Sequence, residues 1–217
     1  MIKHIRRFMI ALSFGWLLAM SAAMPASGQS SGQSSGQASQ DIIAKAERWF
    51  EKISTMRAEF TQVASDGSAA TGTLYLRRPT QMRLQYDGDA KIALVVSGGW
   101  LHVDEGAKQS ANSYPIGSTP FAPMLQEDIQ LRSSQFQTTT QDKQGVVSVT
   151  LTQETGEAAG SLTLEFSTTP FALRRWIIED AVGVTTKVTL QNPVYGEDFN
   201  NFLFTRPLYD QSQNSDN

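Results

Sequence analysis

Cysteine is absent from all 217 residues. Disulfide staples, thiolate metal sites and thiol nucleophiles are therefore excluded, and so is the lipidated cysteine that anchors a bacterial lipoprotein. Stability must come from a buried core. Histidine is nearly absent, and of His4 and His102 only the second lies beyond residue 23. His102 shares a predicted strand with Trp100, a setting that fits a solvated or hydrogen-bonded imidazole better than a catalytic one. Charge is sparse, at 18% of residues. Outside the first 23 residues no basic run exceeds two, and beyond residue 40 the chain carries 15 Lys/Arg against 21 Asp/Glu, a net charge of −6. Nucleic acid is not an expected partner, because polyanion binding needs Lys/Arg to neutralise phosphates.

No apolar run reaches the roughly 20 residues that a bilayer span requires. The longest runs from Phe8 to Met20, after Lys3, Arg6 and Arg7 and before the small residues Ser21, Ala22 and Ala23. This is the layout of a secretory signal over residues 1–23, removed after Ala23. Residues 24–40 include a repeat of Ser, Gly and Gln with no side chain to bury, and read as a flexible tether. Residues 41–210 form the expected domain, and 211–217 a polar tail. The length is enough for one domain with a single core.

From Asp41 to Ile53 the apolar residues Ile42, Ile43, Ala46, Trp49, Phe50 and Ile53 recur at helical spacing, with Lys45, Glu47, Arg48, Glu51 and Lys52 opposite. This predicts a helix capped by Ser39 or Asp41 and lying on an apolar surface. Period-two alternation then takes over. Met56 to Val63, Gly72 to Arg77 and Gln81 to Tyr86 place Phe60, Leu74, Leu76, Met82, Leu84 and Tyr86 on one face. Further strands are predicted at 91–97, 100–105, 136–140, 146–153, 161–167, 173–179 and 184–190, ending near 202–205. That spacing suits an all-β barrel or sandwich. Ser118 to Ile129, with Phe121, Met124 and Leu125 on one side, reads as a second, short helix entered at Pro120. A curved antiparallel sheet with two apolar helices has one obvious assembly, in which the helices plug its concave face.

Catalytic constellations are missing. Asp87-Gly88-Asp89 resembles the start of a calcium loop without the later carboxylates, and is read as a turn. The adjacent pairs Glu179-Asp180 and Glu197-Asp198 point to opposite faces if they lie on strands, which is wrong for paired acid–base chemistry. No catalytic residue, metal or cofactor is expected. Arg77 and Arg78 are more telling. Strand alternation sends Arg77 to water and Arg78 toward the face that carries Leu74 and Leu76. Helix-end carbonyls could satisfy Arg78 there, or it could snorkel to solvent beside Pro79.

At these residues the chain resembles the LolA family of outer-membrane lipoprotein carriers. The likeness runs through Phe60-Thr61-Gln62, Gly72-Thr73-Leu74-Tyr75, Arg78-Pro79 and Met82-Arg83-Leu84-Gln85-Tyr86. It continues with Thr119-Pro120-Phe121, Met124-Leu125, the Leu173 to Leu190 stretch with Asp180, Gly183 and Thr186, and Phe202-Leu203-Phe204 before Pro207. The resemblance implies an incomplete, strongly curved antiparallel β-barrel closed by a helical lid over an apolar cavity for lipid chains. It assigns Arg78 as the latch that bonds lid backbone. It puts Ile42, Ile43, Ala46, Trp49, Phe50, Ile53, Phe121, Met124 and Leu125 on the lid's apolar face, and Phe60, Leu74, Leu76, Met82, Leu84 and Tyr86 in the cavity wall. Met82 stands where the family carries an aromatic residue, and Leu84 where a Trp occurs, so the site stays apolar without those rings.

The function so implied is that of a periplasmic chaperone, a monomer, carrying lipoproteins by their acyl chains. The implied partners are an inner-membrane ATP-binding-cassette (ABC) transporter as donor and an outer-membrane receptor lipoprotein as acceptor. A lipid-binding sensor domain of the same fold in envelope-stress regulation, and a periplasmic hydrolase, are the alternatives.

Overall fold

The structure is a computed structural model, and it describes residues 32–205. The expected signal, the tether up to residue 31 and the polar tail lie outside the described residues. Within them a helix, α1 (Gly32–Lys52), precedes eleven strands. These are β1 (Thr55–Ala64), β2 (Ala69–Arg77), β3 (Gln81–Tyr86), β4 (Ile92–Ser97), β5 (Trp100–Glu105) and β6 (Ser110–Pro115), then β7 (Gln137–Lys143), β8 (Val146–Gln153), β9 (Gly160–Thr168), β10 (Phe171–Asp180) and β11 (Thr185–Tyr195).

The strands form one antiparallel sheet in the order β6-β5-β4-β3-β2-β1-β11-β10-β9-β8-β7, with β6 and β7 as unpaired edges. The sheet is an incomplete barrel, as expected. Hairpins build each half, and the long-range pairing of β1 with β11, Phe60 opposite Leu190, joins them. Register stacks the inward side chains into rows, such as Ala58, Leu74, Leu84, Leu94 and Val103 across β1 to β5. A matching row, Val149, Leu164, Trp176 and Val188, crosses β8 to β11. All nine of these side chains are buried. Gly72 has no Cβ because Gln85 O and the Phe60 ring occupy that space, at 2.1 and 2.8 Å from where one would sit. The Phe60 ring instead meets Tyr86 edge-on at 5.2 Å.

Four local expectations are corrected. First, the helix begins at Gly32 rather than Asp41, so the last nine residues assigned to the tether are helical. Propagating a helix from a packed end adds one hydrogen bond for each residue fixed, which outweighs weak local propensity. Ser39 and Asp41 therefore lie inside the helix and do not cap it; the Ser39 hydroxyl accepts from Thr140 Oγ1 on β7 at 2.9 Å. Second, the predicted helix over 118–129 is a pair of 3₁₀ turns, Ile116–Ser118 and Ala122–Leu125. Pro123, one turn after the entry at Pro120, removes the first amide donor that an α-helix there would use.

Third, the strand expected near 202–205 is a 3₁₀ turn, Asn201–Phe204, started by Asn200, whose side chain accepts from the Phe202 amide. It straps the outer face of the sheet. Phe204 is buried beneath the Arg77 guanidinium, 4.6 Å from its ring centroid. Arg77 also donates to Phe199 O and Asn201 Oδ1, at 3.2 and 2.9 Å, so it is bound to this strap instead of pointing freely into water. Fourth, residues 110–115, assigned to no strand from the sequence, form β6; they carry no period-two apolar signal, and their Ser, Ala and Asn have little strand preference. Backbone pairing with β5 creates it.

Candidate functional site

The concave face of the sheet is apolar from β1 to β5 and from β8 to β11, and two elements cover it. One is α1, where Ile43, Ala46 and Phe50 are buried and Ile42, Trp49 and Ile53 pack partly buried on the core. Phe50 and Trp49 meet Phe166 of β9 edge-on, at 6.2 and 5.7 Å between ring centroids. The other is the segment 116–136, which runs from the end of β6 to the start of β7, that is, from one edge of the sheet to the other. It buries Phe121, Met124, Leu125, Ile129 and Leu131 against the sheet. Glu47 of α1 ties the two covers together, its carboxylate accepting from the Leu131 amide at 2.9 Å.

Under this cover Phe60, Leu74, Leu76, Met82, Leu84 and Tyr86 all lie in the packed interior, each at most 5% exposed. The Tyr86 hydroxyl donates to Gln62 Oε1 at 2.8 Å, and burial pushes its pKa well above the ordinary tyrosine range. These side chains thus form one continuous apolar cluster with the residues of α1 and the 116–136 segment that cover them. Its second half, including Leu162, Leu164, Phe166, Trp176 and Val188, was not among the expected site residues. The period-two alternation of β8 to β11 was the signal that could have found it.

Arg78 follows β2 directly and turns toward the 116–136 segment. Its guanidinium donates to Gln126 O at 2.5 Å and Glu127 O at 2.9 Å, with a longer contact to Met124 O at 3.5 Å. These carbonyls end the 3₁₀ turn Ala122–Leu125, where the helical ladder supplies no donors. A fork of N–H groups suits such converging carbonyls. Partial burial lowers the Arg78 pKa, against the attraction of Asp128 and Glu51. Its Nε is buried without a partner.

A cleft of about 220 Å³ separates the 116–136 segment from the β8–β9 hairpin. Pro120, Ala122, Pro123 and Gln126 line one wall, and Leu151, Gln153, Ser161 and Leu162 the other. Gln126 belongs to both features, since its carbonyl accepts from Arg78.

The remaining polar candidates have structural partners. His102 Nδ1 lies 2.8 Å from Ser113 Oγ on β6. Asp180 Oδ1 accepts from the Val182 and Val184 amides in the β10–β11 turn. Glu197 takes two hydrogen bonds from Arg57, at 2.7 and 2.9 Å. Among the described residues no three His, Asp or Glu side chains cluster as metal ligands, and no helix is long and apolar enough to cross a membrane.

The family model for the outer membrane lipoprotein carrier protein LolA matches residues 51–207. The comparison with curated proteins found no match. Among solved structures, the chain is similar to a LolA superfamily protein from Nitrosomonas europaea at 9% identity, covering 77% of this chain and 97% of that one, with a TM-score of 0.45. It is similar to the MucA/MucB complex of Pseudomonas aeruginosa at 12% identity, covering 77% and 61%, with a TM-score of 0.46. A DUF1329 family protein from Desulfovibrio piger is 12% identical, with coverage of 78% and 96% and a TM-score of 0.48.

Proposed function

We propose a function from one premise: this chain belongs to the LolA family of outer membrane lipoprotein carrier proteins. It acts as a periplasmic chaperone that takes up the acyl chains of lipoproteins released from the inner membrane and carries them to the outer membrane. An inner-membrane ABC transporter is the donor and an outer-membrane receptor lipoprotein the acceptor. No covalent chemistry is involved.

The observation that carries this reading is an apolar concave face sealed by a segment whose backbone carbonyls Arg78 binds. Moving lipid chains through water exposes about 0.8 kcal/mol per methylene, on the order of 35 kcal/mol for the roughly 45 methylenes of a triacylated anchor. A carrier therefore needs an interior as apolar as the membrane it draws from. The sheet supplies one by exchanging its contacts with Phe121, Met124, Leu125 and Ile129 for contacts with acyl chains. The empty protein keeps the same surface covered, which prevents self-association through an exposed patch. Opening gives up the Arg78 bonds and lid contacts, so their strength subtracts from cargo affinity and eases hand-off.

The test is direct. The purified protein is mixed with spheroplasts, and a lipoprotein is expected to appear in the soluble fraction in a one-to-one complex with it. If nothing is released while the protein still binds lipid, the carrier reading fails in favour of a lipid sensor.

A further inference from the structure

The cleft beside the lid has a chemical character of its own. Its 14 lining residues include Gln126, Gln135, Gln153, Thr119 and Ser161 but no Lys, Arg, Asp or Glu. The mouth itself is therefore neutral and hydrogen-bonding. Beneath it lie Leu151 and Leu162, at 2% and 1% exposure, which belong to the apolar core.

We propose that this cleft is the port through which an acyl chain enters, and that its amide and hydroxyl rim receives the uncharged ester and amide carbonyls of a triacylated lipid anchor in preference to a phosphorylated headgroup. The inference rests on the carrier reading and specifies its entry route and headgroup selectivity. Size supports it. At about 220 Å³ the closed cleft is smaller than the roughly 300–1,000 Å³ that encloses a whole small ligand, so it admits one end of a chain, and the lid must move for the rest. Position supports it as well. Arg78, at the end of β2, ties the lid segment through Gln126 O, and Gln126 also lines the cleft between that segment and the β8–β9 hairpin. A chain wedged against Gln126 pushes on the residue whose carbonyl holds the latch, which couples entry to opening. Charge sets the selectivity, since a phosphate there meets no cation in the lining, whereas amide side chains donate to neutral carbonyls.

Two variants of the full mature chain test this. At Gly117 a Cβ would meet nothing within 4 Å, and the residue lines the cleft, so Gly117→Trp obstructs the port without a steric clash at Cβ. Gln153→Lys places a cation in the lining. Binding is measured with a synthetic triacylated lipopeptide bearing a neutral peptide and, separately, with phosphatidylglycerol, both in neutral-detergent micelles. The expected results are preference of the wild type for the lipopeptide and a loss of about fivefold or more in its capture by Gly117→Trp at unchanged thermal midpoint. Gln153→Lys is expected to narrow the preference by about fivefold, as one unit of charge contact at a partly solvated site would do. Equal wild-type binding of both lipids, or unchanged lipopeptide capture by Gly117→Trp, overturns the port while leaving the carrier reading standing. Should Gly117→Trp not fold, an unchanged preference in Gln153→Lys overturns the selectivity. A wild type that binds neither lipid overturns the carrier reading with it.

Discussion

Replacing Arg78 by Leu removes the guanidinium that joins the lid segment to the sheet, and the structure sets the size of the effect. Two hydrogen bonds, to Gln126 O and Glu127 O, are short enough to count fully, and the contact to Met124 O at 3.5 Å is marginal. A charge-assisted hydrogen bond contributes about 1.5–3 kcal/mol where water is excluded. Arg78 is only half-buried, and solvent screening brings each bond to about 0.5–1 kcal/mol. The sum is about 1–2 kcal/mol. The unpartnered Nε offsets part of it, because its desolvation cost disappears with the side chain. The lower end, about 1 kcal/mol or a fivefold shift toward the open lid, is therefore expected. If acyl chains bind only the open form, apparent affinity for a fluorescent acyl probe rises by that same factor. Hydrogen exchange at the amides of Ala122 and Met124, which bond to Thr119 O and Phe121 O within the lid, accelerates in parallel. The thermal midpoint falls by only a few degrees. Arg78→Lys keeps the charge without the fork and lies between. Unchanged exchange at these amides together with unchanged probe affinity in Arg78→Leu refutes the latch.

Gly72→Ala is expected to abolish soluble folded protein, because the added methyl would sit 2.1 Å from Gln85 O, a backbone atom of the paired strand; circular dichroism of the soluble fraction checks this. Phe166→Ala, at a fully buried ring stacked 5.0 Å from Phe171 and edge-on to Trp49 and Phe50, costs about 3–5 kcal/mol, seen as a fall of roughly 10 °C in a calorimetric melt. The Arg57 hydrogen bond, with its charge, holds the Glu197 carboxyl below its ordinary value near 4.5, against burial. Since the folded value lies below the unfolded one, the pair's contribution is present above the ordinary value and lost as pH falls through the depressed one. Melting curves of wild type and Arg57→Gln therefore differ at pH 6 and converge in acid; a pH-independent difference refutes the linkage.

The β1-β2-β3 wall was legible because its inward residues are cross-strand neighbours joined by short hairpins. Met56 to Tyr86 is one continuous stretch in which alternation and turn residues state the pairing locally. The same alternation marked most of the other half, but not that β11 closes onto β1, a contact between Phe60 and Leu190. The helix face was readable from spacing, whereas its start was not, since the Ser/Gly/Gln repeat carries no sign that a packed helix will extend through it. The outer strap was misread because Phe202 and Phe204 alternate as strand residues do, while the Asn200 cap and the Arg77 ring contact stabilise a 3₁₀ turn.

Composition and patterning alone determined a cysteine-free, antiparallel β domain with an amphipathic helix, one apolar sheet face and an inward-biased arginine beside Pro79. Side-chain polarity encodes which face seeks burial. It does not encode what covers that face, because the partners of Arg78 are backbone carbonyls that every residue possesses. Which carbonyls arrive there depends on the 116–136 segment crossing from one sheet edge to the other. That path also forms the neutral cleft from the lid and a hairpin remote in sequence. Only the tertiary structure brings the Arg78 hydrogen bonds and the cleft together on Gln126.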